Sequence, residues 1–149
     1  MKKIRLVTNI ISVVLIIGYL IFLNFIWNRI PATVPTHFNA AGEADAYGGK
    51  ASLVLEPILM IGIFLLMTIA ERFPSAWNFP VKVTEQNRER LFGIGYRMIG
   101  GLKILTVCIF IDAGISSIFP GFPVWPMYVM LILIGVVIIS GIVACFKAR

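Results

Sequence analysis

The sequence predicts an all-α integral membrane protein of four transmembrane helices, with both termini cytoplasmic and an ordered outer loop between the first two helices. Three observations carry this. Hydrophobic residues make up 59% of the 149 positions and charged residues only 13%, whereas an ordinary soluble domain carries about 25% charge. Four apolar runs reach the length that a helix rising about 1.5 Å per residue needs to cross about 30 Å of hydrocarbon. The basic residues, behind a net charge of +6, flank those runs instead of forming a face with interleaved aromatics. That excludes nucleic acid as a partner and points to membrane lipids.

The first run, residues 6–27, follows the basic Lys2, Lys3 and Arg5. It is longer than the roughly 7–15 apolar residues of a signal sequence, so it reads as an uncleaved span. Trp27 and Arg29 anchor its far end, and Pro31 and Pro35 stop the helix. The second run, 51–70, ends at Glu71 and Arg72. The third, 91–119, contains Lys103 and Asp112, and the fourth, 124–146, precedes Lys147 and Arg149. No linker or composition break divides the chain, so residues 1–149 form one domain.

Lys and Arg distribute unevenly between alternate ends of these spans. Leaving out Lys103, ten fall on the side of the termini and the 71–90 connection, against Arg29 and Lys50 on the other. The positive-inside rule therefore puts the termini and that connection in the cytoplasm and the 28–50 loop outside. Within the cytoplasmic elbow, residues 77–82 read as an extended interfacial strand, and Thr84 is placed to cap a helix starting at Glu85. Lys82, Arg88, Arg90, Arg97 and Lys103 are the candidates for contact with lipid head groups or a cytoplasmic partner, Lys103 by snorkelling back to the inner surface.

An ionisable group inside a span costs about 2.5–3.5 kcal/mol to insert and marks a candidate site. Asp112 is too short to snorkel. Nine residues put it about 14 Å from Lys103 on nearly the opposite side of the helix, so these two do not pair. Glu56 lies at a matching depth on the second span, and above both hangs the loop with His37, Asn39, Glu43 and Asp45. These six residues are the candidate ligand-binding set, an outward-facing pocket for a cation, a basic ligand group or a proton. The alternative is that the two carboxylates satisfy loop amides and helix ends.

No nucleophile stands beside a base in a recognisable motif, so no catalytic residue is assigned and a non-enzymatic role is favoured. No cofactor is required. A metal-dependent membrane enzyme is an alternative, with a metal ion held by His37, Glu43 and Asp45, although a single histidine without HExxH is a poor zinc ligand set. Cys108 and Cys145 have neither CxxC spacing nor histidine neighbours and read as core residues. A transporter or proton relay through the bundle is a further alternative, motivated by Lys103, Asp112 and Glu56.

The loop carries Ile30-Pro31, Val34-Pro35-Thr36-His37-Phe38-Asn39, Gly42, Asp45, Tyr47-Gly48 and Lys50. With these residues the chain resembles the membrane family called domain of unknown function 1648, found at the N-terminal end of SdpI-type bacterial immunity proteins. Residues 79–90, followed by Leu102-Lys103, resemble short members of the same group. The resemblance implies a four-helix protein of the bacterial cytoplasmic membrane, with a role in immunity to an extracellular peptide toxin or in signalling to a cytoplasmic regulator. The full immunity proteins carry an additional C-terminal membrane domain beyond four such spans.

Overall fold

The computed structural model describes Met1–Arg149. Four long helical segments form, each long and apolar enough to cross a membrane: α1 (Lys2–Ile26), α2 (Leu55–Ala70) with the 3-10 turn Lys50–Val54 that leads into it, α3 (Arg88–Ile118) and α4 (Trp125–Lys147). The chain is thus a multi-pass membrane protein, and the four apolar runs fall on these helices. Large apolar side chains stay exposed along α1, α2 and α4, as expected where lipid replaces water as the surrounding solvent.

Succeeding helices run antiparallel. Arg5 near the start of α1 meets Glu71 just past α2, and Cys145 and Ala148 near the end of α4 pack on Leu91 and Ile94 near the start of α3. Both termini therefore share one end of the bundle, the terminal end. α3 is the central element and packs against α1, α2 and α4, whereas α4 rests chiefly on α3. Glycines permit the close approaches: a Cβ at Gly100 would press on Thr8 of α1, and one at Gly141 of α4 would strike Met98 of α3.

The opposite end is shaped by a β-hairpin where the sequence suggested a loop. Strands β1 (Thr33–Phe38) and β2 (Ala44–Gly49) pair antiparallel, from Thr33 opposite Gly49 to Phe38 opposite Ala44, with irregular register around His37. Pro35 and two glycines hide the strand pattern in the sequence, but the turn chemistry at the tip is strong. Asn39 Oδ1 accepts from the backbone N–H of Ala41 and Glu43, Asn39 Nδ2 donates to Glu43, and Gly42 takes φ 81°. Val34 anchors the hairpin. It is buried in a cluster with Leu23, Ile30, Leu53 and Ile118.

Between α3 and α4, Phe119-Pro120-Gly121-Phe122 closes with Phe122 N–H donating to the Phe119 carbonyl and Gly121 at φ 89°. Pro followed by a positive-φ Gly is the signature of a type II turn. At the terminal end, residues 77–82 form no strand, and α3 begins at Arg88, three residues later than the Thr84 cap suggested. Asn87 stands at the N-cap without a side-chain bond into the helix, and its own N–H donates to the Thr84 hydroxyl. Its side-chain oxygen accepts from Thr84 N–H and its Nδ2 donates to the Lys82 carbonyl, fixing a turn before the helix. Trp77 donates to the Ala70 carbonyl at the end of α2 and packs edge-on against Tyr96, which docks this elbow on α3.

Candidate functional site

A cleft of about 390 Å³ opens beneath the hairpin, within the size range of small-ligand sites. Its roof is the run from Thr36 to Ala40 with Gly42; its floor is Glu56 and Asp112; Phe122, Val124, Met127 and Tyr128 form a largely apolar wall. Each part has a local cause. After β2, residues Lys50–Val54 make a 3-10 turn that runs straight into α2, so Glu56 falls in the first helical turn just below the strands. Asp112 comes from the last two turns of α3, one turn below Ser116. The roof is held across the cleft by the tip of the hairpin: the Tyr128 hydroxyl donates to the Ala40 carbonyl, and Gly42 lies tight against Val124.

The floor is supported from behind. The Tyr19 hydroxyl of α1 donates to Glu56 Oε2 at 3.2 Å, and Gly114 of α3 faces both groups so closely that a Cβ there would collide with them. Neither Glu56 nor Asp112 is paired with a cation. The cleft lining contains no Lys or Arg.

Of the six candidate ligand-binding residues, His37, Asn39, Glu56 and Asp112 line this one cleft. Glu43 and Asp45 do not. Glu43 is held by Asn39 at the hairpin tip, and Asp45 Oδ1 lies 2.5 Å from His37 Nδ1 with both side chains largely open to solvent. The metal set His37, Glu43 and Asp45 is therefore not assembled, and no three His, Cys, Asp or Glu side chains gather closely enough to hold an ion.

Lys103 also departs from expectation. Instead of snorkelling to lipid it is fully buried, with Nζ donating to Asn9 Oδ1 at 2.5 Å and to Thr68 Oγ1 at 3.2 Å, and paired with Glu71 Oε2 at 3.0 Å. Arg5 Nε approaches the same carboxylate oxygen at 3.7 Å and its guanidinium stacks over Tyr96. Lysine's three donors match three acceptors from two other helices, which holds it better than a long stretch to the surface would. Lys82, Arg88, Arg90 and Arg97 are exposed at the terminal end.

Sequence reasoning did not find Tyr19, Asn9, Thr68 or Glu71. For Asn9 and Ser12 a signal existed: two polar residues one turn apart in an apolar span, on the same face as Tyr19. Glu71 looked like an interfacial residue because it follows the last apolar position of its run. Only the folded chain turns it inward.

Residues 14–61 match the family described as Domain of unknown function (DUF1648). The match runs from α1 through the hairpin to the first turns of α2, so it holds Tyr19, His37, Asn39 and Glu56 but not Asp112. An uncharacterized protein of Archaeoglobus fulgidus is 33% identical over 76 residues, covering 42% of this chain and 42% of that protein. The chain thus spans less than half the length of this relative. No solved structure matches it.

Proposed function

We propose that the protein is a non-enzymatic membrane binding protein whose hairpin-roofed cleft captures a basic side chain of an extracellular peptide. The observation that carries this reading is that Glu56 and Asp112 line one cleft whose lining has no Lys or Arg. Carboxylates taken partly out of water are poorly solvated as anions, and an entering ammonium or guanidinium offers each a charge-assisted hydrogen bond. The apolar wall of Phe122, Val124 and Met127 suits the aliphatic stem of Lys or Arg, which favours such a group over a hydrated metal ion. Toxin immunity by sequestration, or signalling to a cytoplasmic regulator through the basic elbow, are the forms of this activity that the family resemblance supports. The Lys and Arg asymmetry supports placing the hairpin outside, and the family resemblance supports a bacterial cytoplasmic membrane.

The test is binding of a fluorescent Arg-rich peptide, against its Gln-substituted version, to the protein in nanodiscs. Glu56→Gln and Asp112→Asn are each expected to weaken binding about tenfold or more, the scale of a charge-assisted hydrogen bond of about 1.5–3 kcal/mol. Equal binding of both peptides, or unchanged binding by the folded double variant, overturns the reading.

A further inference from the structure

Ionisable and polar groups inside this bundle fall into two stations on one axis. The first is the cleft floor, where Tyr19 of α1, Glu56 of α2 and Asp112 of α3 meet, with His37 of β1 above. The second, toward the terminal end, joins Arg5, Asn9 and Ser12 of α1, Thr68 of α2 and Glu71 just beyond it, and Lys103 of α3. All three helices contribute to both stations, and α4 supplies none of these groups.

Apolar side chains separate them over about 14 Å along α3, from Asp112 to Lys103, and about 18 Å along α2, from Glu56 to Thr68, with the Phe64 ring against Lys103 Nζ. Ile16, Met60 and Val107, one residue from each helix, pack with Tyr19 into a single buried cluster. Along α1, Ser12 and Tyr19 are seven residues apart, about 10 Å, with Ile16 between them. Buried polar atoms bordering this axis lack hydrogen-bond partners: the Ser12 hydroxyl, Arg5 Nε and Glu71 Oε1, the last of which touches neither cation while Oε2 is ion-paired with Lys103. Orphaned buried polar atoms are where internal water bonds, and a buried ionisable residue within a span, as Lys103 is, marks a candidate functional position.

We propose that the axis between α1, α2 and α3 is a proton pathway, with Glu56 and Asp112 as the entry station, the Ile16–Met60–Val107 layer as a gate, and Glu71 with Lys103 as the exit station. A proton taken up by the Glu56 carboxylate crosses the gate on water admitted when the unbranched Met60 side chain swings aside. It then reaches Glu71, whose protonation loosens its hold on Lys103 and Arg5, and it leaves to solvent past the partly exposed Arg5. No bond other than O–H is made or broken, and the proton gradient supplies the driving force.

The inference does not depend on peptide capture. Reconstitution in liposomes containing a pH-sensitive dye, with a potassium–valinomycin potential to drive protons, tests it without any ligand. The expected result is dissipation faster than in protein-free liposomes, falling to the protein-free rate in Glu71→Gln and Glu56→Gln. It rises in Met60→Ser, which wets the gate, and is unchanged in Leu131→Ala on the lipid face of α4. A folded wild type that conducts no faster than empty liposomes overturns the proposal. So does Glu71→Gln or Glu56→Gln conducting as fast as wild type; if either variant fails to fold, Met60→Ser conducting no faster than wild type overturns it. Loss of peptide binding in Glu56→Gln alongside normal flux would sink the pathway while leaving the cleft reading intact.

Discussion

Lys103 shows how a charge survives in a span. It has no exposed surface, and its ammonium is met by a carboxylate, an amide oxygen and a hydroxyl from α1, α2 and the residue after α2. Removing the lysine alone strands the buried Glu71 carboxylate, so Lys103→Met is expected to destabilise the protein by about 3–5 kcal/mol. Adding Glu71→Gln should restore a large part of that loss, since the one charge then left without its partner, Arg5, is partly exposed to solvent. Thermal unfolding of the single and double variants in detergent measures this coupling directly. The sequence shows that Lys103 and Asp112 lie on different sides of one helix, but nothing in it identifies the partner of Lys103. That partner sits 32 positions earlier in the chain, in a stretch whose charge and position suit the membrane surface equally well.

At the scale of elements, the helices were legible because an apolar run of about 20 residues has few other fates. The hairpin was not. Its strands are short, hold a proline and two glycines, and owe their register to Val34 packing beneath them and to the Asn39 turn at the tip, not to alternating apolar residues. The tip is where the element is most easily broken. Both Gly42 and Gly121 have positive φ, but a Cβ at Gly42 would also press on Val124, whereas Gly121 faces open space. Gly121→Ala should therefore show the backbone penalty alone, about 1–2 kcal/mol. Gly42→Ala should lose more and detach the roof from α4. Melting temperatures of the two variants, together with protease cleavage rates within residues 39–43, distinguish these outcomes; equal effects would mean the Val124 contact does not hold the tip.

For the whole molecule, the bundle has two unlike ends. The hairpin end presents an acidic cleft and the terminal end a basic, aromatic elbow in which Trp77, Phe79 and Phe92 pack together and Arg88 lies over Phe92. The charge count read from the sequence assigns these ends to opposite sides of the membrane. With Cys108 and Cys145 replaced by Ser, a cysteine at Ala46 on the hairpin should react with a membrane-impermeant maleimide in intact cells. One at Ser75 on the elbow should react only after lysis. Both positions are solvent-exposed in the fold, so the reverse pattern would invert the assigned topology. Four residues of the candidate set did converge on one cleft, because matching depth on two helices can be counted from the ends of the runs. What counting could not reveal was which helix faces meet, and the second polar station followed only from that.

The bond from Tyr128 to Ala40 and the seat of Gly42 on Val124 also set an order of assembly. A ribosome delivers α1, the hairpin, α2 and α3 well before residues 124–128, so during synthesis the carboxylates of the floor lie under a hairpin tip with nothing to grip. The cleft is finished only when the last span enters the bilayer. A chain interrupted before α4 would lack the residues that hold the hairpin tip, so the final helix is the one that completes the cleft.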